Sequence, residues 1–428
     1  MKLSKGKYAL LYLGLLSLSI YTPLYGTVDR MNVQFFFLSV TNFLAVISLP
    51  LVFRTSIKHV KAILKDPLII SYIGLLFFSI LSIIKSINVI ESLVKLNQLF
   101  VFFLSLLILT ILTYNRLIKK KTILWIIFFS LVIDILFSLS PFYDLWQNNL
   151  DYSYKYVTSF VGLAGNRNIL ALSILFRIPL IIYLASLVKN KTLKTLFFFV
   201  LTFAFFNIYI LSSRAALLGI IILIAFSLLF LLYKRKEIVK KIKFISTFFL
   251  LPILLSFIIS SNAIEESDRA NVGSRIASIV NDNDESINSR YRFWSHALEF
   301  ISENPMLGGG VGTWKIYSIK YDSEYIKSYI VPYSAHNDIL EYTAETGIFG
   351  GLFFVAFFIL ILRAVIKIVR INKYDFDFTL TFVLVSSFLI YFMDLNLNFP
   401  SSRPLNLYLL LLYITLIKIL YQEKNEKS

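Results

Sequence analysis

The sequence predicts an all-α integral membrane protein of about twelve transmembrane helices, with one large extracytoplasmic loop between the ninth and the tenth. Three observations predict it. Apolar residues make up 57% of the 428 and charged residues only 16%; apolar runs near twenty residues recur along the whole length; and basic residues cluster in the short stretches between them. A helix rising 1.5 Å per residue needs about 20 apolar residues to cross roughly 30 Å of hydrocarbon, and it satisfies its own backbone polar groups. No soluble core calls for that repetition.

The spans read at 8–25, 33–53, 67–84, 96–113, 122–142, 169–188, 195–212, 215–233, 244–261, 346–362, 377–393 and 404–420. The first follows Lys2, Lys5 and Lys7, and no small-residue cleavage site comes after it, so it reads as a retained helix and not a secretory signal. With the N-terminus in the cytoplasm, both termini and the loops near 54–66, 114–121, 189–194, 234–243 and 363–373 carry well over half of the 42 Lys and Arg. Runs such as Lys119-Lys120-Lys121 and Lys234-Arg235-Lys236 are the positive-inside signal, which places both termini in the cytoplasm. The net charge of +17 therefore reports topology and contact with membrane lipid, and no nucleic acid is expected as a partner. The chain has no cysteine, which excludes disulfides, thiol catalysis and Cys-ligated metal sites.

This reading divides the chain into 1–261 with helices one to nine, an extracytoplasmic domain at 262–345, and 346–428 with the last three helices and a cytoplasmic tail. The middle segment is rich in Asn, Asp, Ser, Gly and Arg, and a loop of that length is commonly functional or disordered. An amphipathic helix is predicted over Tyr291 to Glu303, with Phe293, Trp294, Ala297, Leu298 and Ile301 at helical spacing, which makes the segment an ordered cap. Ser267 to Ser289 reads as mobile. Three other polar features reach the same face: Gly165-Asn166-Arg167-Asn168, Ser212-Ser213-Arg214 and the stretch from Asp394 to Arg403.

Several residues in these features carry possible chemistry. Arg214 interrupts an apolar stretch from Phe203 to Tyr233. An arginine at the bilayer centre costs roughly 2.5–3.5 kcal/mol, so the residue is either a snorkelling interface arginine or a phosphate ligand whose planar fork bonds two oxygens at once. Arg290-Tyr291-Arg292-Phe293-Trp294 leads into a glycine-rich turn from Gly308 to Gly312. That turn lacks the Gly-Lys-Ser/Thr of a nucleotide loop, and it is either a plain turn or a cradle of N–H groups for an anion. His336 is one of three histidines and lies on the arginine-rich face, where an imidazole near its ordinary pKa acts as a base; a structural role is the alternative. His59 reads as a solvated cytoplasmic residue and His296 as packing within the loop helix. Asp282-Asn283-Asp284 has a metal-pair spacing but lies on a side where nucleotide sugars are not supplied, so neither metal nor cofactor is expected. Asp134 and Arg177 fall at similar depth on adjacent antiparallel spans and are predicted to pair.

Taken together, Leu-Ser-Ser-Arg214-Ala-Ala-Leu-Leu-Gly, Arg290-x3-Trp294 with Asn-Pro-x2-Gly-x-Gly, and His336-Asn-x-Ile-Leu-x4-Glu-x-Gly-x2-Gly resemble the O-antigen ligase and O-antigen polymerase superfamily. The order of the motifs matches from Gly165 onward; the first 150 residues match only as membrane helices. This sequence departs by having Gly309 and Gly310 where one varied residue is usual, and by its Asp394-to-Arg403 stretch. The resemblance implies a GT-C-like glycosyltransferase of the bacterial inner membrane, acting on the periplasmic face without metal or cofactor. Its donor would be an undecaprenyl-diphosphate-linked glycan and its acceptor lipid A–core or a growing glycan. It also implies that Arg214 and Arg290 bind the diphosphate and that His336 is the base or positions the acceptor. Arg292, Asn168 and Asn337 complete the implied substrate-binding set. Ligation to lipid A–core is the leading expectation; chain polymerisation, then protein glycosylation, are the alternatives. A flippase for the same glycan would show charged residues along a path through the bilayer, and few occur at depth.

Overall fold

The computed structural model describes residues 4–21, 30–52, 63–233, 244–263, 271–277, 285–326, 333–371 and 378–425. Among them every regular element is a helix. Nine helical stretches are long and apolar enough to cross a membrane, and Arg214–Leu228 and Ser246–Asn262 are shorter apolar helices. Each of the twelve predicted spans falls on a helix, but nine, not twelve, meet the length and apolarity of a crossing among the described residues. The first predicted span, for instance, is a helix of 17 residues. His59 and Asp282-Asn283-Asp284 lie outside the described residues. So does part of the stretch expected to be mobile, but Val272–Ala277 within it is helical, and its end belongs to the helix that begins at Glu285.

The chain forms two compact units. The first takes in 1–120, 285–371 and 395–428. It contains α1 (Lys5–Tyr21), α2 (Arg30–Val52), α3 (Pro67–Ser82) and α4 (Val89–Tyr114). Asp66 caps α3 through Leu68 N–H at 2.9 Å, with Pro67 preset for the first turn, and Asn88 caps α4 through Ile90 and Glu91. Asn42 of α2 is fully buried and accepts from Tyr12 at 2.8 Å while donating to the Val101 carbonyl and to Ser105, each at 2.9 Å. Interhelical bonds of this kind hold apolar helices together where hydrophobicity cannot, because lipid tails are as apolar as the helices themselves.

The second unit takes in 121–284 and 372–394. It contains α5 (Lys120–Leu139) from Lys121 on, α6 (Pro141–Gln147), α7 (Arg167–Leu187), α8 (Lys191–Ile210), α9 (Arg214–Tyr233), α10 (Leu251–Ala263), which continues a single π-type turn, and α11 (Val272–Ala277). Residues 169–185 of α7 are all buried, so this helix is the core of its unit. An ion pair lies inside it: Arg177 Nη1 stands 2.6 Å from Asp134 Oδ2, both side chains fully buried, as their depth on adjacent spans predicted. Arg177 also donates to the Ser173 carbonyl at 3.0 Å, the Ser173 hydroxyl at 3.2 Å and Ser130 at 3.3 Å.

Candidate functional site

In the first unit the predicted amphipathic helix is α12 (Glu285–Glu303), longer than the sequence suggested, followed by α13 (Trp314–Tyr321). Ala297, Phe300 and Trp314 form a small core with Ala335 and Ala344, and Phe300 packs on Trp314 and Tyr317 with ring centroids 5.9 and 4.5 Å apart. The apolar stripe of α12 thus buries itself against the start of α14 (Asp338–Ile371). α14 begins at Asp338, ahead of the apolar span read from the sequence, and runs across a kink at Gly347 into it.

The glycine-rich turn sits at that kink, and its N–H groups are spent within the protein. Gly309 donates to the Ala344 carbonyl and Gly310 to the Glu345 carbonyl, both at 3.0 Å. Val311 donates to Ser82 Oγ at 2.9 Å, and the Glu345 carboxylate accepts from Trp314 at 3.1 Å and from Gly312. The turn is therefore a splice between loop and helix, not an anion cradle. Gly308 and Gly347 both have positive φ, and a Cβ would lie 2.4 Å from the Ala344 carbonyl oxygen at the first and 2.2 Å from the Met306 carbonyl oxygen at the second. Backbone strain and steric overlap together should make Gly347→Ala destabilising by on the order of 3 kcal/mol. Thermal unfolding in detergent measures this, and an unchanged midpoint would show that the kink is not fixed by the turn.

His336 precedes α14 in a left-handed backbone conformation, φ +53°, which is uncommon for a residue with a Cβ. Its ring stacks toward Phe293 at 6.1 Å and meets Phe399 edge-on at 5.2 Å. A ring N–H faces the Leu397 carbonyl, while Nδ1 is buried with no hydrogen-bond partner among the described residues. In the tautomer that carries its proton on Nε2, the lone pair of the neutral ring lies on Nδ1. Burial, and then the charge of Arg290, push the pKa down to about 4 against the opposing effect of the Leu397 carbonyl. The near-neutral value expected from the sequence is thus shifted: between pH 5 and 8 this histidine is uncharged.

Asn337 caps α14, its Oδ1 accepting from Leu340 at 3.1 Å. Arg292 pairs with Asp322 and lies 4.2 Å over the Tyr325 ring, so its fork anchors the cap. His296 Nδ1 is 3.8 Å from the same Asp322. Sequence reasoning missed the ring of groups that hold the His336 turn. Asp338 accepts from the Ser401 N–H at 2.9 Å and from its hydroxyl, and Glu341 accepts from Ser334 at 2.7 Å and Ala335 at 3.0 Å. Buried Lys95 donates to Ser402 at 2.9 Å and lies 5.3 Å over Tyr342. The signal for the acids was present, since Asp338, Glu341 and Glu345 stand three and four apart on one helix face. Leu397 and Phe399 lie in the Asp394-to-Arg403 stretch that the sequence placed on the same face, but nothing local marked Lys95.

The remaining predicted residues belong to the second unit. Arg214 is half-buried and opens α9 just after Ser212, whose φ is +49°. Asn168, half-buried, is the second residue of α7, and its N–H donates to the capping Asn166 at 2.9 Å. Arg275 Nε donates to the Ser212 carbonyl at 2.9 Å, and Arg167 Nη2 to the Tyr154 hydroxyl at 2.9 Å.

Residues 196–355 match the family model described as O-antigen ligase, a region that contains Arg214, Arg290, Arg292, His336, Asn337 and the glycine-rich turn. No curated protein matches the chain. Over these residues the chain is similar to the O-antigen ligase family, which supports the resemblance that its motifs carry.

Proposed function

We propose that the protein is an O-antigen ligase that moves a glycan from undecaprenyl diphosphate to a hydroxyl of lipid A–core. In this reading residues 262–345 cap the outer face of the bacterial inner membrane, between helices at 1–261 and 346–428, and both termini are cytoplasmic. The observation that carries it is His336: an uncharged imidazole, its buried Nδ1 without a hydrogen-bond partner among the described residues, under the field of Arg290, inside the family-matched region. The acceptor oxygen attacks the anomeric carbon as its proton passes to Nδ1, directly or through water. The bond from that carbon to the diphosphate oxygen breaks, its electron pair leaving with the diphosphate, and the anomeric centre inverts. The charge that develops on the leaving group is stabilised by Arg290. The role of Arg214 as a diphosphate ligand rests on its motif and on guanidinium chemistry. Donor binding at Arg290 also offsets the cation that helps keep His336 unprotonated, so the base strengthens when the donor arrives.

The decisive assay gives purified protein a lipid-linked glycan with and without lipid A–core. Transfer only with lipid A–core marks a ligase, and lengthening of the glycan in its absence marks a polymerase. Arg290→Ala should weaken donor binding about tenfold or more, and Arg214→Lys should lose much of the turnover, because an ammonium cannot reproduce two parallel bonds to phosphate. Wild-type turnover in both folded variants would end the diphosphate assignment. Topology is read from single cysteines in the cysteine-free chain: Asn283→Cys should react with an impermeant thiol reagent from the periplasm, and a cysteine at Lys236 only once the cytoplasm is opened. The reverse pattern would overturn the orientation.

A further inference from the structure

The first turn of α14 carries two buried carboxylates, Asp338 and Glu341, on one helix face, and they grip the chain on either side of the His336 ring. Glu341 holds the residues before it. Its Oε2 accepts from the Ser334 hydroxyl at 2.7 Å and from the Ala335 N–H at 3.0 Å, and Ser334 Oγ in turn accepts from the His336 N–H at 3.2 Å. Asp338, two residues after His336 and 1% exposed, reaches instead to a residue 63 positions along the chain. Its Oδ2 accepts from the Ser401 N–H at 2.9 Å and from the Ser401 hydroxyl at 2.5 Å. The left-handed backbone of His336 is costly for a residue with a Cβ. Such a conformation persists only where its surroundings over-determine it, and residues of this kind cluster at functional sites.

Ser401 belongs to the turn that meets the imidazole. Pro400–Ser402 is a single 3₁₀ turn, closed by the Ser402 N–H on the Phe399 carbonyl at 3.2 Å and by the Arg403 N–H on the Pro400 carbonyl at 3.0 Å. Holding Ser401 therefore holds Phe399, whose ring lies edge-on to His336, and sets where the chain leaves Leu397, whose carbonyl faces a ring N–H. Two other contacts tie the same turn to helices of the unit: Lys95 of α4 donates to Ser402 at 2.9 Å, and Arg403 Nη1 lies 2.8 Å from Met31 Sδ of α2. Those contacts place the turn in the unit. Asp338 joins it to the segment that carries the histidine. A base needs a partner that orients its ring, and the bond made by one ring nitrogen decides which of the two bears the proton.

We propose that Asp338 is a positioning residue: by clamping Ser401 it holds the Leu397 carbonyl and the Phe399 ring against His336, and so fixes the orientation of the imidazole and the nitrogen that bears its proton. The proposal rests on the reading of His336 as the base. Asp338 takes no proton from the acceptor in this scheme; it acts through Ser401 and the histidine.

The test uses full-length protein in lipid nanodiscs, with isotope-labelled histidine read by nitrogen NMR. Of the three histidines, the signals of His336 are those lost in His336→Ala. At neutral pH the wild-type ring should show a single neutral tautomer, and the ring in Asp338→Ala a mixture of both. The kcat of Asp338→Ala for transfer from lipid-linked glycan to lipid A–core should fall about 10²-fold, the cost of a misplaced reacting group, with KM for the donor unchanged. Asp338→Asn, whose amide oxygen still accepts from Ser401, should recover the single tautomer and most of the rate. An unchanged ring signal in folded Asp338→Ala overturns the proposal, whatever happens to the rate. Mixed tautomers with wild-type kcat uphold the clamp and remove the base reading instead. If Asp338→Ala does not fold, Ser401→Ala, which loses only the hydroxyl bond, decides by the same signals: a second tautomer supports the clamp, and its absence removes it.

Discussion

His336→Ala should lower transfer by about 10²–10⁴-fold, the usual contribution of a general base, while the protein still inserts and binds donor. The ring stands ahead of α14 between Phe293 and Phe399, so its loss removes a lone pair more than it removes core. The pH profile separates a base from a merely structural histidine. The free protein holds His336 at about 4, so kcat/KM should stay level from pH 8 to below 5 and fall only as Nδ1 protonates near pH 4. In the donor complex the Arg290 charge is offset, so the acid limb of kcat should lie above that of kcat/KM. The same shift bears on stability. A pKa lower in the folded chain than the ordinary 6.5 adds stability that is present above 6.5 and is lost as pH falls through about 4. Near-wild-type turnover in His336→Ala with normal donor binding would remove the base assignment. A loss confined to donor affinity would make the residue a ligand instead.

Asp134→Ala should destabilise the second unit by about 3–5 kcal/mol, because it leaves Arg177 charged and fully buried. The three bonds from Arg177 to Ser173 and Ser130 orient the guanidinium but supply no counter-charge. Asp134→Leu combined with Arg177→Met should recover most of that loss, since two apolar side chains of similar size bury no charge. Reversible unfolding in mixed detergent reads both variants. Equal stability of Asp134→Ala and wild type would mean that the pair is not what holds Arg177, and a double variant no better than the single one would mean that the pair stabilises beyond its desolvation cost.

Much of the candidate site was legible because its chemistry is rare in such a chain. A strand of apolar runs makes Arg214, Arg290 and His336 conspicuous, and the order of their motifs pointed to the superfamily that residues 196–355 match. The pairing of Asp134 with Arg177 was legible for a similar reason: two charges at one depth in hydrocarbon have few other ways to be tolerated. Arg292 and Asn337 were legible as polar residues in the right motif but not in their contacts. Motif position does not distinguish a fork aimed at a ligand from one clamped to Asp322, nor a substrate-binding amide from a helix cap.

By itself the sequence determined the class of the protein and the approximate position of its long apolar helices, and it singled out the residues proposed to carry charge-stabilising and proton-accepting chemistry. These follow from hydrophobic period and residue type, which are local properties of the chain. Only the tertiary structure decided how His336 behaves, because its pKa depends on burial, on Arg290 and on the Leu397 carbonyl, far along the chain. It also decided that the glycine-rich turn is a splice, since the partners of its N–H groups lie on Ser82, Ala344 and Glu345. The same holds for the grip of Asp338 on Ser401. Contacts between residues so far apart in sequence are set by how helices pack, and no local pattern encodes them.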